Sequence, residues 1–274
     1  MNMMIICPAT AIGVPSLSAK QPLVLAPFLG STVLQHALSH FAKQGCKKVT
    51  LVVSDRMEQV QSVVGRGEAW GMQVEVVSAA PAETPGETQS FTLDRLPQLP
   101  EQPLWENYRG WFSAQQKLLA TVARERVGMR EVAPGVFVGL RSQVARSAVL
   151  TGPCWIGANV YVGSDAVVGP QAVIEDGCYL DARSEVVGSV LGSATYVGAM
   201  TEVRHSFVQG RELLQLITGS SVSVTDPFLL DDLAAKPGGM MRIRELLGRS
   251  DGTRPTWTTR LAGWLGKFRP DVVI

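Results

Sequence analysis

The sequence has little with which to build a metal centre or a disulfide framework. Among 274 residues there are four cysteines and three histidines. Cys7, Cys46, Cys154 and Cys178 show neither CxxC pairing nor dense even spacing, so they read as small buried residues, with no zinc and no disulfides expected. His36 and His40 stand one helical turn apart, but no HExxH-type glutamate accompanies them, which leaves them as helix-surface residues. An excess of charge is lacking as well. The 25 basic and 24 acidic residues give a formal charge of +1, which excludes a global attraction to nucleic acid. No apolar run approaches the length that spans a bilayer, and MNMMIICPAT has no basic region ahead of a cleavable apolar stretch, so the expected address is the cytoplasm. The remaining composition, 46% hydrophobic and 18% charged, belongs to a folded chain long enough for two compact parts.

One of those parts is written as a repeat. From Val138 an aliphatic residue stands at every sixth position: Val138, Val144, Leu150, Ile156, Val162, Val168, Ile174, Leu180 and Val186. Four places after each of the first eight comes a mostly small residue: Ser142, Ala148, Cys154, Val160, Ala166, Ala172, Cys178 and Ser184. Six residues make one short strand and a turn, and three such units close a triangular coil whose interior admits one aliphatic and one small side chain per side. After Val186 the phase slips by one and resumes at Leu191, Val197 and Val203, which places a tighter turn near Gly188. About four coils fit before the stack ends around Phe207 to Gly210.

The amino-terminal third alternates differently. Met3 to Cys7, Val49 to Val53 and Gln73 to Val77 are short apolar runs suited to buried strands. Between the first two, Thr32 and Gln35 form a capping box for a helix with Val33, Leu34, Ala37, Leu38 and Phe41 on one face and Gly45 at its end. A second helix is expected over Met57 to Val64. Strand and helix in alternation predict a parallel α/β sheet. From Ser78 to Pro103 the prolines and sparse apolar periodicity predict an extended loop or linker.

The stretches AKQPLVLAPFLGSTVLQHALSHFAKQGCKKVTLVVS and APGVFVGLRSQVARSAVLTGPCWIGANVYVGSDAVVGPQAVI, with ENYRGWFSAQQKLL as the helix between, resemble a bacterial nucleotide-sugar pyrophosphorylase (sugar-1-phosphate nucleotidyltransferase) that carries a carboxy-terminal hexapeptide-repeat β-helix. The resemblance spans most of residues 1 to 233. It implies a partial Rossmann-like nucleotidyltransferase domain followed by a left-handed parallel β-helix, hence α/β plus all-β. It implies nucleotide contacts at Gly13, Lys20 and Gly86, with Lys20 in AKQP matching the family's phosphate-binding lysine, and an NDP-sugar or sugar phosphate as ligand. The family's glycine-rich phosphate loop is reduced here to CPATAIGVPSLSAKQP with the single Gly13, and Asp94 is the only carboxylate near the place of the metal-binding aspartate. The departures imply a truncated, catalytically impaired domain over 1–90 that binds a sugar nucleotide or serves as a scaffold in surface-polysaccharide metabolism. The alternative of an active nucleotidyltransferase uses Lys20 as a catalytic residue and requires Mg2+.

Residues 91–130 are expected to form a linker and helix, and 131–233 the β-helix with its cap. His205, in EVRHSF, is the sole histidine of the repeat region, and acyltransferases of this architecture use a histidine as general base; an acyltransferase acting through His205 is the second alternative. Residues 234–274 form a tail in which Trp257, Leu261, Trp264, Leu265 and Phe268 fall on one side of a predicted amphipathic helix, with Arg260, Lys267 and Arg269 elsewhere. Residues 255–269 are expected to meet a membrane surface, such as the inner membrane, or a polysaccharide-assembly partner. Related β-helices form trimers, and a homo-oligomer is expected.

Overall fold

The computed structural model describes residues 2–79 and 88–234. They fall into two compact units, one built from the first 118 residues with Leu216–Gly219, the other running from Leu119 to Gln215 and on from Ser220.

The first unit is a four-stranded parallel sheet. Strands β1 (Asn2–Cys7), β2 (Lys48–Val53), β3 (Gln73–Val77) and β4 (Thr88–Thr92) lie in the order β3-β2-β1-β4. Ile5 sits opposite Leu51 on one side and Phe91 on the other. Helix α1 (Val33–Lys43) connects β1 to β2, and α2 (Met57–Val64) connects β2 to β3, as the crossover rule for parallel strands demands. The capping box of α1 is formed: Gln35 N donates to Thr32 Oγ1 at 3.2 Å and Thr32 N donates to Gln35 Oε1 at 3.0 Å, which is worth about 1 kcal/mol. Its apolar face, Val33, Leu34, Ala37, Leu38 and Phe41, is buried.

The predicted linker differs from the structure. It contains β4 and, after it, a hairpin of Arg95–Leu96 with Leu99–Pro103. Strand β4 escapes pattern reading because it joins through backbone pairing to the edge of β1 and hides little of its own side-chain surface; the apolar anchor is the next residue, Leu93, which is fully buried. Helix α3 (Tyr108–Glu125) follows, and the boundary between the units falls within it.

The second unit is the parallel β-helix expected from the repeat, consistent with the left-handed form that the family resemblance implies. Its first sheet stacks Val136–Val138, Cys154–Ile156, Ala172–Ile174, Val190–Leu191 and Ser206–Gln209, all parallel. Its second sheet stacks Gln143–Val144, Tyr161–Val162, Tyr179–Leu180 and Thr195–Val197, and its third Val149–Leu150, Val167–Val168, Glu185–Val187 and Glu202–Arg204. Each coil satisfies the backbone edge of the one beneath it. The phase slip is visible in the pairing. Val162 pairs with Leu180 eighteen residues on, whereas Leu180 pairs with Val197 seventeen on. The turn at Gly188 absorbs the missing residue.

Both repeat slots point inwards. Val138, Val144, Ile156, Val162, Val168, Ile174, Leu180, Val186 and Leu191 are buried with Cys154, Val160, Ala166, Ala172 and Cys178 in a single core. Where serine takes the small slot, its hydroxyl is used: Ser142 Oγ donates to Gly157 O at 2.6 Å and accepts from Val160 N at 3.0 Å. The outward column of the first sheet, Phe137, Trp155, Val173, Val190 and Phe207, is itself buried, and the Arg126 guanidinium lies 5.4 Å over the Trp155 ring. The parallel stack ends at Gln209; Glu212–Gln215 returns antiparallel, and Leu230–Asp232 closes the second sheet in the same way.

Candidate functional site

His205 is placed by the corner between the third and first sheets. Gln171, Gly188 and His205 occupy that corner in three successive coils, all with positive φ. Their amides donate downward, Gln171 N to Pro153 O at 2.6 Å, Gly188 N to Pro170 O at 3.0 Å and His205 N to Val187 O at 3.1 Å. The left-handed conformation of His205, φ +48, is the turn geometry of the coils, shared by Arg141, Asn159, Asp165, Arg183, Ala194 and Met200. Two buried serines hold the backbone on either side of it. Ser206 N donates to Ser189 Oγ at 3.1 Å, Ser189 Oγ bonds to Val187 O at 2.8 Å, and Ser206 Oγ donates to Arg204 O at 2.8 Å. The backbone on both sides of His205 is thereby held while its imidazole is exposed.

Charged groups adjoin the corner. Arg204 pairs through Nη2 with Glu185 at 2.5 Å and through Nε with Glu202 at 3.3 Å. An exposed imidazole on a held backbone has the chemistry to take a proton from an acceptor brought to the corner. The bracketing serines were beyond sequence reading, because Ser189 is seventeen residues from Ser206 and falls in the phase slip; the signal that could have found them is two small polar residues at one coil spacing.

The nucleotide-site residues of the first unit are arranged otherwise. Gly13 is packed against the chain ahead of α3: a Cβ there would lie 1.9 Å from Glu106 O and 2.7 Å from Trp105 O. Its smallness is used for a close backbone approach, and that space is taken, so Gly13 does not offer a phosphate cradle. Lys20 is exposed at the end of the short helix Pro15–Ala19. Arg56, at φ +43, clamps the turn that carries it, donating through Nη2 to Ser18 O at 2.6 Å and Gln21 O at 2.9 Å while pairing with Asp55 at 2.7 Å. Nothing in the sequence singled Arg56 out. Gly86 lies outside the described residues, as do residues 255–269.

Among the described residues the donors required for Mg2+ do not converge. Asp55 is held by Arg56, and Asp94 pairs with Arg95 at 2.9 Å, which keeps its carboxyl below the usual range. Among the described residues no three His, Cys, Asp or Glu side chains are close enough to share a metal. The described residues do not fit the ion. Strand β4 precedes Asp94, within the stretch expected to be an extended loop or linker. His36 is tied to the hairpin ahead of its helix, Pro27–Phe28 with Ser31–Thr32, its Nε2 donating to Phe28 O at 2.7 Å.

All four cysteines are buried, and burial pushes the thiols of Cys7, Cys154 and Cys178 up to about 12. On the outer face of the second sheet Tyr161 stacks on Tyr179 at 4.5 Å and Tyr179 on Tyr196 at 5.8 Å. Tyr196 donates to Asp181 Oδ2 at 3.2 Å. Burial, with the nearby Asp181 carboxylate, raises the hydroxyls of Tyr179 and Tyr196.

Comparison with known proteins gives a partial match. No family model matches the chain. The 2,3,4,5-tetrahydropyridine-2,6-dicarboxylate N-succinyltransferase of Chelativorans sp. (strain BNC1) is 36% identical over 84 residues, which are 25% of this chain and 30% of that protein. The chain thus matches less than a third of that relative's length. Among solved structures, the acetyltransferase domain of PglB from Neisseria gonorrhoeae FA1090 overlays 76% of this chain and 85% of its own at 11% identity and a TM-score of 0.20. The same domain in complex with acetyl coenzyme A overlays 76% and 84% at 12% identity and a TM-score of 0.20. No helix among the described residues is long and apolar enough to cross a membrane.

Proposed function

We propose that the chain is an acyltransferase of the hexapeptide-repeat type, with His205 as general base. The observation that carries this reading is the held, solvent-facing imidazole on a corner of a hexapeptide β-helix, and the partial likeness to a succinyltransferase supports it. The chemistry is acyl transfer from a thioester to an amine or hydroxyl. His205 takes the proton of the acceptor as its nitrogen or oxygen bonds to the acyl carbon; the carbon–sulfur bond breaks and the thiolate leaves, receiving a proton. Thiol release from acetyl- and succinyl-coenzyme A in the presence of amino and hydroxyl sugars tests it. Turnover that falls at least about a hundredfold in His205→Ala is expected, in the range of general-base contributions. Unchanged turnover in that variant would remove His205.

The strand order β3-β2-β1-β4 supports a second reading, in which the first unit binds a sugar nucleotide that it does not turn over. Open parallel sheets receive ligands beyond their strand carboxyl ends, where the strand order reverses, here between β1 and β4. Lys20 is the candidate phosphate contact. This keeps the role in nucleotide-sugar or surface-polysaccharide metabolism, and titration calorimetry with a panel of NDP-sugars tests it: binding that weakens in Lys20→Ala supports it, and no heat from any member of the panel counts against it. Assembly as a homo-oligomer belongs to the same proposal, checked by light scattering.

A further inference from the structure

The molecule divides its charge along the chain. Residues 151–234, the upper coils and cap, hold ten Asp or Glu against three Arg, whereas residues 235–274 hold eight Lys or Arg against three Asp or Glu. The acidic part also carries unusual apolar exposure. Met200, Phe228 and Leu229 are 70%, 56% and 45% exposed. Their two segments adjoin, because Gly198 N donates to Leu229 O at 2.9 Å and a Cβ on Gly198 would strike Phe228 O. Single exposed apolar residues are ordinary, but three large ones on adjoining segments ask for a cover. Asp226 accepts from Phe228 N at 2.9 Å, and Glu202 and Asp232 follow within a few residues of Met200 and Leu229 along the chain.

We infer that this surface is the docking site for the chain's own segment 257–269. Trp257, Leu261, Trp264, Leu265 and Phe268 match it in apolar character, and Arg260, Lys267 and Arg269 match it in charge. The last described residues lie on the same closing edge, where Leu233 N donates to Ala194 O at 2.8 Å. From Ala234 to Trp257 the chain can reach about 75 Å when extended, so reach is no obstacle. Tethering also raises the effective concentration of the segment to roughly the millimolar range, so modest contacts suffice. An anionic bilayer would attract the segment but be repelled by the acidic cap that bears it. Self-docking satisfies both charges. This inference is independent of the acyltransferase reading.

Hydroxyl-radical footprinting of the full chain, read by mass spectrometry, tests it at described residues. Modification of Met200 and Phe228 is expected to rise about fivefold in Trp264→Glu and again in 1 M NaCl, as an intramolecular charged contact is lost. The reciprocal variant Phe228→Glu, a surface change that leaves the core intact, is expected to expose Trp264. Equal modification of Met200 in all three proteins overturns the proposal. So does protection of Trp264 that arises only with phosphatidylcholine–phosphatidylserine vesicles, which would assign the segment to a membrane.

Discussion

The imidazole of His205 stands over Gly188 so closely that a Cβ at Gly188 would lie 2.7 Å from Nδ1. Gly188 also has φ +57, the left-handed region in which an L side chain is strained. Gly188→Ala is therefore expected to cost about 2 kcal/mol, from strain and displacement together. Because the new methyl pushes on the ring, acyl transfer should fall further than thermal stability suggests. Parallel melting curves and thiol-release rates check this, and a variant that melts lower but turns over normally would separate Gly188 from the site.

Gly13→Ala distinguishes packing from ligand binding. The added Cβ meets backbone atoms of Glu106 and Trp105, which cannot swing aside as a side chain would. The expected loss is about 3 kcal/mol, at the upper end for overpacking, read as a lower urea midpoint. A glycine that served only to cradle phosphate would leave the midpoint unchanged and weaken nucleotide binding instead.

The two cysteines of the β-helix core make its stability depend on alkaline pH. Cys154 and Cys178 have thiols raised to about 12 in the folded chain, by burial, against an ordinary value near 9. Above about pH 9 the unfolded chain gives up these protons and the folded chain keeps them, so the folded state binds more protons and stability falls as pH rises, by up to about 1.4 kcal/mol per thiol per pH unit until about pH 12. Below pH 8 neither state ionises and the effect vanishes. Ala166 and Ala172 already fill the same slot, so Cys154→Ala with Cys178→Ala keeps the coil. Urea midpoints at pH 8 and pH 10 should diverge less in the double variant than in the unaltered chain.

Tyr179 is the middle rung of the stack on the second sheet, touching Tyr161 and Tyr196 at once. Tyr179→Ala removes two ring contacts worth about 1 kcal/mol each together with the area they bury. Tyr179→Phe retains the rings and is expected to lose less than half as much. Unfolding curves of the two variants give the comparison directly.

The repeat was legible because coil geometry imposes its period on every side chain: Val138 to Val186 name the interior, and the slip after Val186 reports the shortened coil at Gly188. Helix α1 was legible through Thr32 and Gln35, a cap whose partners are three residues apart. The parts that escaped depend on contacts distant in sequence. Gly13 meets Glu106 more than ninety residues away, and Ser189 holds Ser206 across a coil. Strand β4 contributes backbone pairing with few buried side chains, so Thr88–Thr92 gives no apolar alternation. His205 was identifiable as the sole histidine of the repeat, but its exposure and left-handed backbone were not.

Arg56 gives the last prediction. Its guanidinium holds the carbonyls of Ser18 and Gln21 and the carboxylate of Asp55 at once, so truncation leaves two acceptors and a charge without their donor. These groups are partly solvated, and water recovers some of the loss, so Arg56→Ala should lower the urea midpoint only modestly. Relief of the left-handed backbone at position 56 does not follow, since alanine has the same steric conflict at φ +43. Arg56→Gly removes that conflict and should regain part of the stability without restoring the clamp. The turn at Lys20 is then expected to loosen in both variants, seen as faster hydrogen exchange over residues 16–21. If Lys20 holds phosphate, both variants should weaken NDP-sugar binding to a similar extent despite their different stabilities; affinity that instead tracks stability would show that the clamp supports the fold and not the ligand.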